Sequence, residues 1–201
     1  MASNEDTRGR IVDTARALFH RKGFSAIGVA EICNEAEVTK GSFYHFFDSK
    51  HTLLEDVIAE NTRCLLQGLR TLDEQSITGR EKLVAQLHGT GVNARRQKKS
   101  GAVLGCNLGN IANELAAYDT VASQSVRRAF NRWLRVIRKQ LEQAIADGSM
   151  PADTDIESTA LSLLAVIQGI STIGRTFDKP SQLDSIIAIT EQKLLPQTDA
   201  G

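Results

Sequence analysis

Only three prolines interrupt the 201 residues, at 151, 180 and 196, and each falls where helical periodicity lapses. Proline removes a backbone donor and clashes with the preceding turn, so its rarity leaves helix available along almost the whole chain. No run shows the alternating, β-branched pattern of a strand, and no Asn-Gly pair marks a hairpin. The fold is therefore expected to be all-α. Hydrophobic residues make up 41% of the chain and charged residues 24%, which is enough to bury a core and too balanced for a disordered chain.

The apolar spacing places the helices. Ile11, Ala15, Leu18 and Phe19 form a helical stripe stopped by Gly23. Val29, Ile32 and Cys33 predict a short helix ending near Ala36, and Thr39 can cap a third that carries Phe43 and Phe47 on its inner face. Ser49 can cap the next, with Leu53, Leu54, Val57, Ile58 and Leu65 at helical spacing. A helix after Gly79 runs through Leu83 and Leu87 and fades in the basic run Arg95–Lys99. The small-residue segment Gly101–Ala117 leads into a long helix from about Asp119 to Ala146, about 40 Å in length. Asp153 or Asp155 caps a helix to about Phe177, and Pro180 sits early in the last one.

Lys plus Arg equals Asp plus Glu, 24 against 24, but the zero is a sum of unequal parts. Residues 1–60 carry −3, residues 61–145 carry +8 and residues 146–201 carry −5. Three scattered cysteines, Cys33, Cys64 and Cys106, are too few for a disulfide framework or a thiolate metal site. The polar N-terminus, which opens with acids, is no secretory signal. The longest apolar stretch, Ala160–Ile173, contains Gln168 and falls short of a bilayer span. The expectation is a cytoplasmic protein without a membrane partner. His20, His51 and His88 share no ligand spacing, and no nucleophile–base pair or phosphate loop is readable. No catalytic residue, metal or cofactor is implied.

The informative stretch is Gly23–Lys50, GFSAIGVAEICNEAEVTKGSFYHFFDSK. It encodes two short helices joined by a tight turn. The second opens with Thr39, Lys40, Gly41 and Ser42, small or polar residues that allow close approach to a surface. Phe43 and Phe47 fix its inner face, while Lys40, Ser42, Tyr44 and His45 look outward. That is the layout of a helix that reads the major groove.

This segment resembles the DNA-binding domain of the TetR family of transcriptional repressors. The residues that carry the resemblance are Gly23-Phe24, Glu31-Ile32, Val38-Thr39-Lys40-Gly41-Ser42, Phe43-Tyr44-His45-Phe46-Phe47 and Ser49-Lys50. The resemblance implies a three-helix helix-turn-helix domain over residues 1–48, followed by a larger helical effector-binding and dimerisation domain over 49–201. It implies DNA contacts from Thr39, Lys40, Gly41, Ser42, Tyr44 and His45, with Lys50 holding phosphate. Arg8 and Arg10 would reach the neighbouring backbone or minor groove. Packing against helix 1 is the alternative for Tyr44 and His45. Two positions depart from the family pattern. Ile27 and Gly28 replace threonines, one of which caps helix 2, and Glu37 stands where a turn glycine is common and would be strained if φ is positive.

The C-terminal part carries its own signals. Residues 155–177 are apolar on more than one face, and the last helix, near 181–195, adds Leu183, Ile186, Ile187, Thr190 and Leu194. Together they predict half of a homodimer interface, with Gly169 and Gly174 permitting close approach; an intrachain core is the alternative. The long helix carries Arg127, Arg128, Arg132, Arg135, Arg138 and Lys139, a solvated basic face or a source of an arginine for an anionic effector. The segment Gly105–Leu115 resembles a Gly-Cys-x-x-Gly-Asn-x-x-x-Glu motif of one TetR subgroup. Cys106, Asn110, Trp133 and Gln168 are the candidates for an effector pocket or sensor, although Cys106 also suits a tight packing position. The expected function is a ligand-responsive homodimeric repressor released from a palindromic double-stranded operator by an unknown small molecule. The alternative is a helical small-molecule-binding protein or enzyme without sequence-specific DNA binding.

Overall fold

The computed structural model describes residues 4–176 and 181–198, and every regular element among them is helical. The helices are α1 (Asn4–Lys22), α2 (Val29–Glu35), α3 (Lys40–Phe46), α4 (Lys50–Asp73), α5 (Gly79–Lys99), α6 (Asn107–Leu115), α7 (Thr120–Ala146), α8 (Ile156–Ile173) and α9 (Ser181–Leu194). The expected all-α class is what the chain adopts. Phe177 and Pro180 lie outside the described residues.

Most helix ends carry a local cause. Gly23 ends α1 at φ +87, with its N–H on the Phe19 carbonyl at 2.9 Å. Thr39 and Asp155 accept from the backbone N–H three residues on, at 3.1 Å each, and cap α3 and α8. Such a cap contributes about 1 kcal/mol. Ser49 does the same for α4, accepting from the Thr52 N–H at 3.1 Å. Helix α5 opens with a full capping box, Thr78 with Glu81, and ends at Lys99, the last residue of the basic run in which it was expected to fade. Cations in a last turn suit the negative end of a helix dipole, so Arg96, Lys98 and Lys99 extend α5 rather than break it. Within the small-residue segment a short helix, α6, begins at Asn107, directly after Cys106, where a helix start was expected.

The chain divides into two compact units, residues 1–65 with 110–129, and residues 66–109 with 130–201. These packing units differ from the division at 48/49 that the resemblance implies, because residues 110–129 pack with the N-terminal helices. In the first unit, Ile11, Ala15, Leu18, Phe19, Ile32, Phe43, Phe47, Leu53 and Val57 are buried together. Phe43 of α3 and Phe47 at its C-cap each contribute about 2–3 kcal/mol of burial.

In the second unit α5, α8 and α9 pack on one another. Ala160, Leu163, Leu164, Ile167 and Ile170 of α8 are buried there, as are Leu183 and Ile187 of α9. Helix α8 is longer than the apolar stretch seen in the sequence. At 18 residues and a mean hydropathy of 1.4 it is long and apolar enough to cross a membrane by length and composition alone, so shortness does not exclude a span here. Its buried stripe marks it as a core helix of this unit. Gly174 caps α8 and seats Leu183, since a Cβ there would lie 3.2 Å from Leu183 Cδ1. It serves contact within the chain, whereas Gly169 faces open space.

Candidate nucleic-acid interface

Helices α2 and α3 are seven residues each and have little stability of their own. They are held by what lies beneath them. Ile32 and Cys33 anchor α2, and Phe43 and Phe47, with ring centroids 5.7 Å apart, anchor α3. The turn between them is closed by Ala36 N–H to the Ile32 carbonyl and Val38 N–H to the Cys33 carbonyl, both at 2.9 Å. Glu37 sits in that turn at φ +53, the one non-glycine positive φ among the described residues. The strain expected at this position is therefore present, at about 1–2 kcal/mol. Gly28 caps α2 with extended backbone and no side-chain hydrogen bond, as its lack of a hydroxyl requires.

With the phenylalanines turned inward, the remaining side chains of α3 face solvent. Lys40, Gly41 and His45 are exposed, Ser42 is half-buried and Tyr44 is 53% exposed. Neither Tyr44 nor His45 packs down on α1. The Thr39 hydroxyl holds both the Ser42 N–H and the Ser42 hydroxyl at 3.1 Å, which fixes the first turn of α3.

The basic residues outside α3 are placed differently from one another. Arg10 is exposed. Arg8 pairs with Asp56 of α4 and lies 5.4 Å over the Phe47 ring, so half of its side chain is committed to the fold. Lys50 departs furthest from the expectation of a phosphate contact. Its ammonium donates to the Phe24 carbonyl at 2.9 Å and the Ile27 carbonyl at 2.8 Å, 4.0 Å from the Phe24 ring. Burial pushes its pKa down, partly offset by Glu114. Its N–H groups reach inward because the turn after α1 leaves two carbonyls without helical partners.

In the second unit the structure brings two of the four effector candidates together. Gln168 Nε2 of α8 lies 3.6 Å from Cys106 Sγ, at the start of α6. Gly109 makes this possible, because a Cβ there would lie 2.3 Å from Gln168 Oε1. Trp133 belongs to a different cluster, donating its ring N–H to Gln86 Oε1 at 2.9 Å. Gln86 in turn donates to Gln140, and Gln140 donates to Asp73 at 2.9 Å. Asn110 is half-buried one turn along α6 from Cys106. On α7, Arg127, Arg128, Arg132, Arg135 and Lys139 are exposed, and Arg138 pairs with Glu157 at 2.7 Å. The basic face is solvated.

The helix-turn-helix lies within a match over residues 11–57 to the family model described as "Bacterial regulatory proteins, tetR family". Residues 79–190 match "Tetracyclin repressor-like, C-terminal domain". The chain belongs to the TetR family. Among TetR-family relatives, the HTH-type transcriptional repressor DhaR of Mycobacterium sp. (strain GP1) is 26% identical over 96% of this chain and 94% of its own. The HTH-type transcriptional repressor NemR of Escherichia coli (strain K12) is 29% identical over 73% of this chain and 70% of its own. A TetR regulator from Chloroflexus aurantiacus superposes with a TM-score of 0.86 at 22% identity, covering 98% of both chains. The reduced form of E. coli NemR gives 0.83 at 21% identity, over 98% of this chain and 100% of that one. These relatives are transcriptional regulators rather than enzymes.

Two features of this TetR-family chain escaped sequence reasoning. Glu114, quoted only as the last letter of a motif, accepts the Phe24 N–H at 2.9 Å and the Ser25 N–H at 2.7 Å. Burial works to raise its pKa, but these bonds and Lys50 outweigh it and hold the carboxyl below its ordinary value. The second is the buried Gln86–Gln140 pair, in which each glutamine neighbours a buried leucine, Leu87 or Leu141. Among the described residues no group of three or more His, Cys, Asp or Glu is placed to hold a metal ion.

Proposed function

We propose that this TetR-family regulator is a homodimeric repressor that binds a palindromic operator through α3 and is released by a small-molecule effector. The observation that carries the DNA reading is the pair of faces on α3, with Phe43 and Phe47 buried and Lys40, Tyr44 and His45 outward. Thr39, Gly41 and Ser42 bring the backbone close, Lys40 sets the register on phosphate, and Tyr44 and His45 approach the bases. Arg10 reaches the neighbouring backbone, with Arg8 beside it. An operator partner places the protein with the chromosome, in the cytoplasm.

Self-association through α8 and α9 is supported by their outer faces. Leu161 is 53% exposed, and Ala165, Gly169 and Thr172 continue the same side of α8. On α9, Ala188 is exposed and Ile189 is 51% exposed. Apolar side chains in such a cluster call for a partner, and membership of the TetR family favours a second copy as that partner.

The effector region is assigned to the Cys106–Gln168 contact, with Trp133, in its own cluster of the same packing unit, as a fluorescent reporter. The Gly-Cys-x-x-Gly-Asn motif at residues 105–110 supports membership of the TetR subgroup that carries it. Gel-shift titration of the DNA flanking its own gene, at stated salt, tests the reading. Wild type is expected to shift one segment far below the concentration needed for random duplex, and Lys40→Ala to weaken that shift. Equal affinity for both DNAs would reject it.

A further inference from the structure

We propose that Glu114 is a positioning residue for DNA recognition: from the last turn of α6 it fixes the segment between α1 and α2 on which the recognition helix is mounted. The inference rests on the reading of α3 as the helix that reads DNA. Operator affinity is then set partly by a residue that lies outside the helix-turn-helix and touches no DNA.

The segment Phe24–Ile27 is gripped from both sides. On the donor side, one carboxylate takes two successive backbone N–H groups, at 2.9 and 2.7 Å. Bonds to an ionised acceptor are the stronger class, and two to one group fix orientation as well as distance. On the acceptor side, Lys50 takes the carbonyls of Phe24 and Ile27, at 2.9 and 2.8 Å. The Phe24 ring is held beneath the ammonium and edge-on to Phe19 and His51, at centroid distances of 5.2 and 5.0 Å.

Gly23 is required twice over in this arrangement. Its φ of +87 disfavours any side chain, and a Cβ would come within 3.0 Å of Glu114 Oε2. The grip matters because the cap of α2 is backbone only: Gly28 offers no side-chain acceptor. The entry angle of α2, and of α3 packed upon it, is set by the buried Ile32 and Cys33 together with the preceding turn.

Helix stability does not explain the carboxylate. A negative charge in the last turn of α6 opposes the helix dipole, and that turn carries no basic residue to balance it. Its partners are the Phe24 and Ser25 N–H groups, the Ser25 side chain and the charge of Lys50. A second tie within the same unit, His51 Nε2 to Asp119 at 3.3 Å, joins α4 to the turn after α6.

The test compares specific with non-specific binding by the full chain. Glu114→Ala is expected to lose about tenfold in affinity for the operator segment, while affinity for random duplex of equal length stays within about twofold. Glu114→Gln, which keeps one acceptor and nearly the same shape, should lose about threefold and guards against a variant that does not fold. Unchanged operator affinity in both variants would overturn the proposal. So would a parallel fall on both DNAs together with loss of helicity, which would make Glu114 a residue of the fold alone. A wild-type protein without operator preference would instead refute the DNA reading itself, and the proposal with it.

Discussion

On α3 the side chains left in solvent are Lys40, Tyr44 and His45, whereas on α8 and α9 they include Leu161, Ala165, Ala188 and Ile189. Both surfaces are the reverse sides of helices whose inner faces are fully packed. The first offers donors and one aromatic plane on a rigid mount, which suits a hydrated, charged partner. The second offers small and branched apolar groups over two helices, which suits removal from water by a like surface. The contrast teaches that charge balance was the wrong place to look for either partner. The DNA-facing segment, residues 1–50, holds 7 basic and 7 acidic groups, and the excess cations lie on the solvated face of α7.

The largest effect should come from the apolar face. Leu161→Asp with Ile189→Asp is expected to weaken self-association by at least about 100-fold, because each carboxylate would be buried unpaired in the interface. Sedimentation equilibrium reads the result, and a dimer that persists would assign partnership to another face.

Next come the two lysines of the motif. Lys40→Ala should cost about tenfold in operator affinity and lower the salt slope by about 1 per subunit. Lys50→Gln should leave that slope unchanged and lower thermal stability instead, since its ammonium is engaged by two backbone carbonyls. Equal slopes for both variants would erase the distinction drawn between them.

A pH effect follows from Glu114. Its folded pKa is depressed below 4.5, so its contribution to stability is complete above about pH 4.5 and is lost as pH falls through the lower folded value. Melting curves from pH 5 downward should show this loss, and Glu114→Gln should flatten that part of the profile.

The smallest effect is a gain. Glu37→Gly relieves a left-handed residue at the cost of a looser unfolded chain, for a net stabilisation of about 0.5 kcal/mol. A fall in melting temperature would show that the Glu37 side chain is engaged elsewhere.

What was legible in the sequence was local. Gly23, Thr39 and Ser49 mark helix ends through chemistry that acts within four residues, and the apolar stripe of α3 separates inner from outer face without reference to the rest of the chain. The bonds of Lys50 to the Phe24 and Ile27 carbonyls were not legible, because position in a motif says where a side chain starts, not which carbonyls it finds. Glu114 reaches Phe24 across 90 positions, and no local pattern declares that meeting. The same holds for Gln168 against Cys106 and for the Gln86–Gln140 pair, which depend on how helices distant in sequence come together. The start of α6 near Cys106 was legible, but the reason for Gly109 inside it was not, since the close approach to Gln168 that requires it comes from α8.

The central claim is that two copies of α3 read one face of a duplex through a few placed groups. Hydroxyl-radical footprinting on the operator segment tests it most directly. The account predicts two protected patches related by a dyad, centred about 34–36 Å apart, with Lys40→Ala removing both together. A single continuous footprint, or protection that survives in Lys40→Ala, would contradict it.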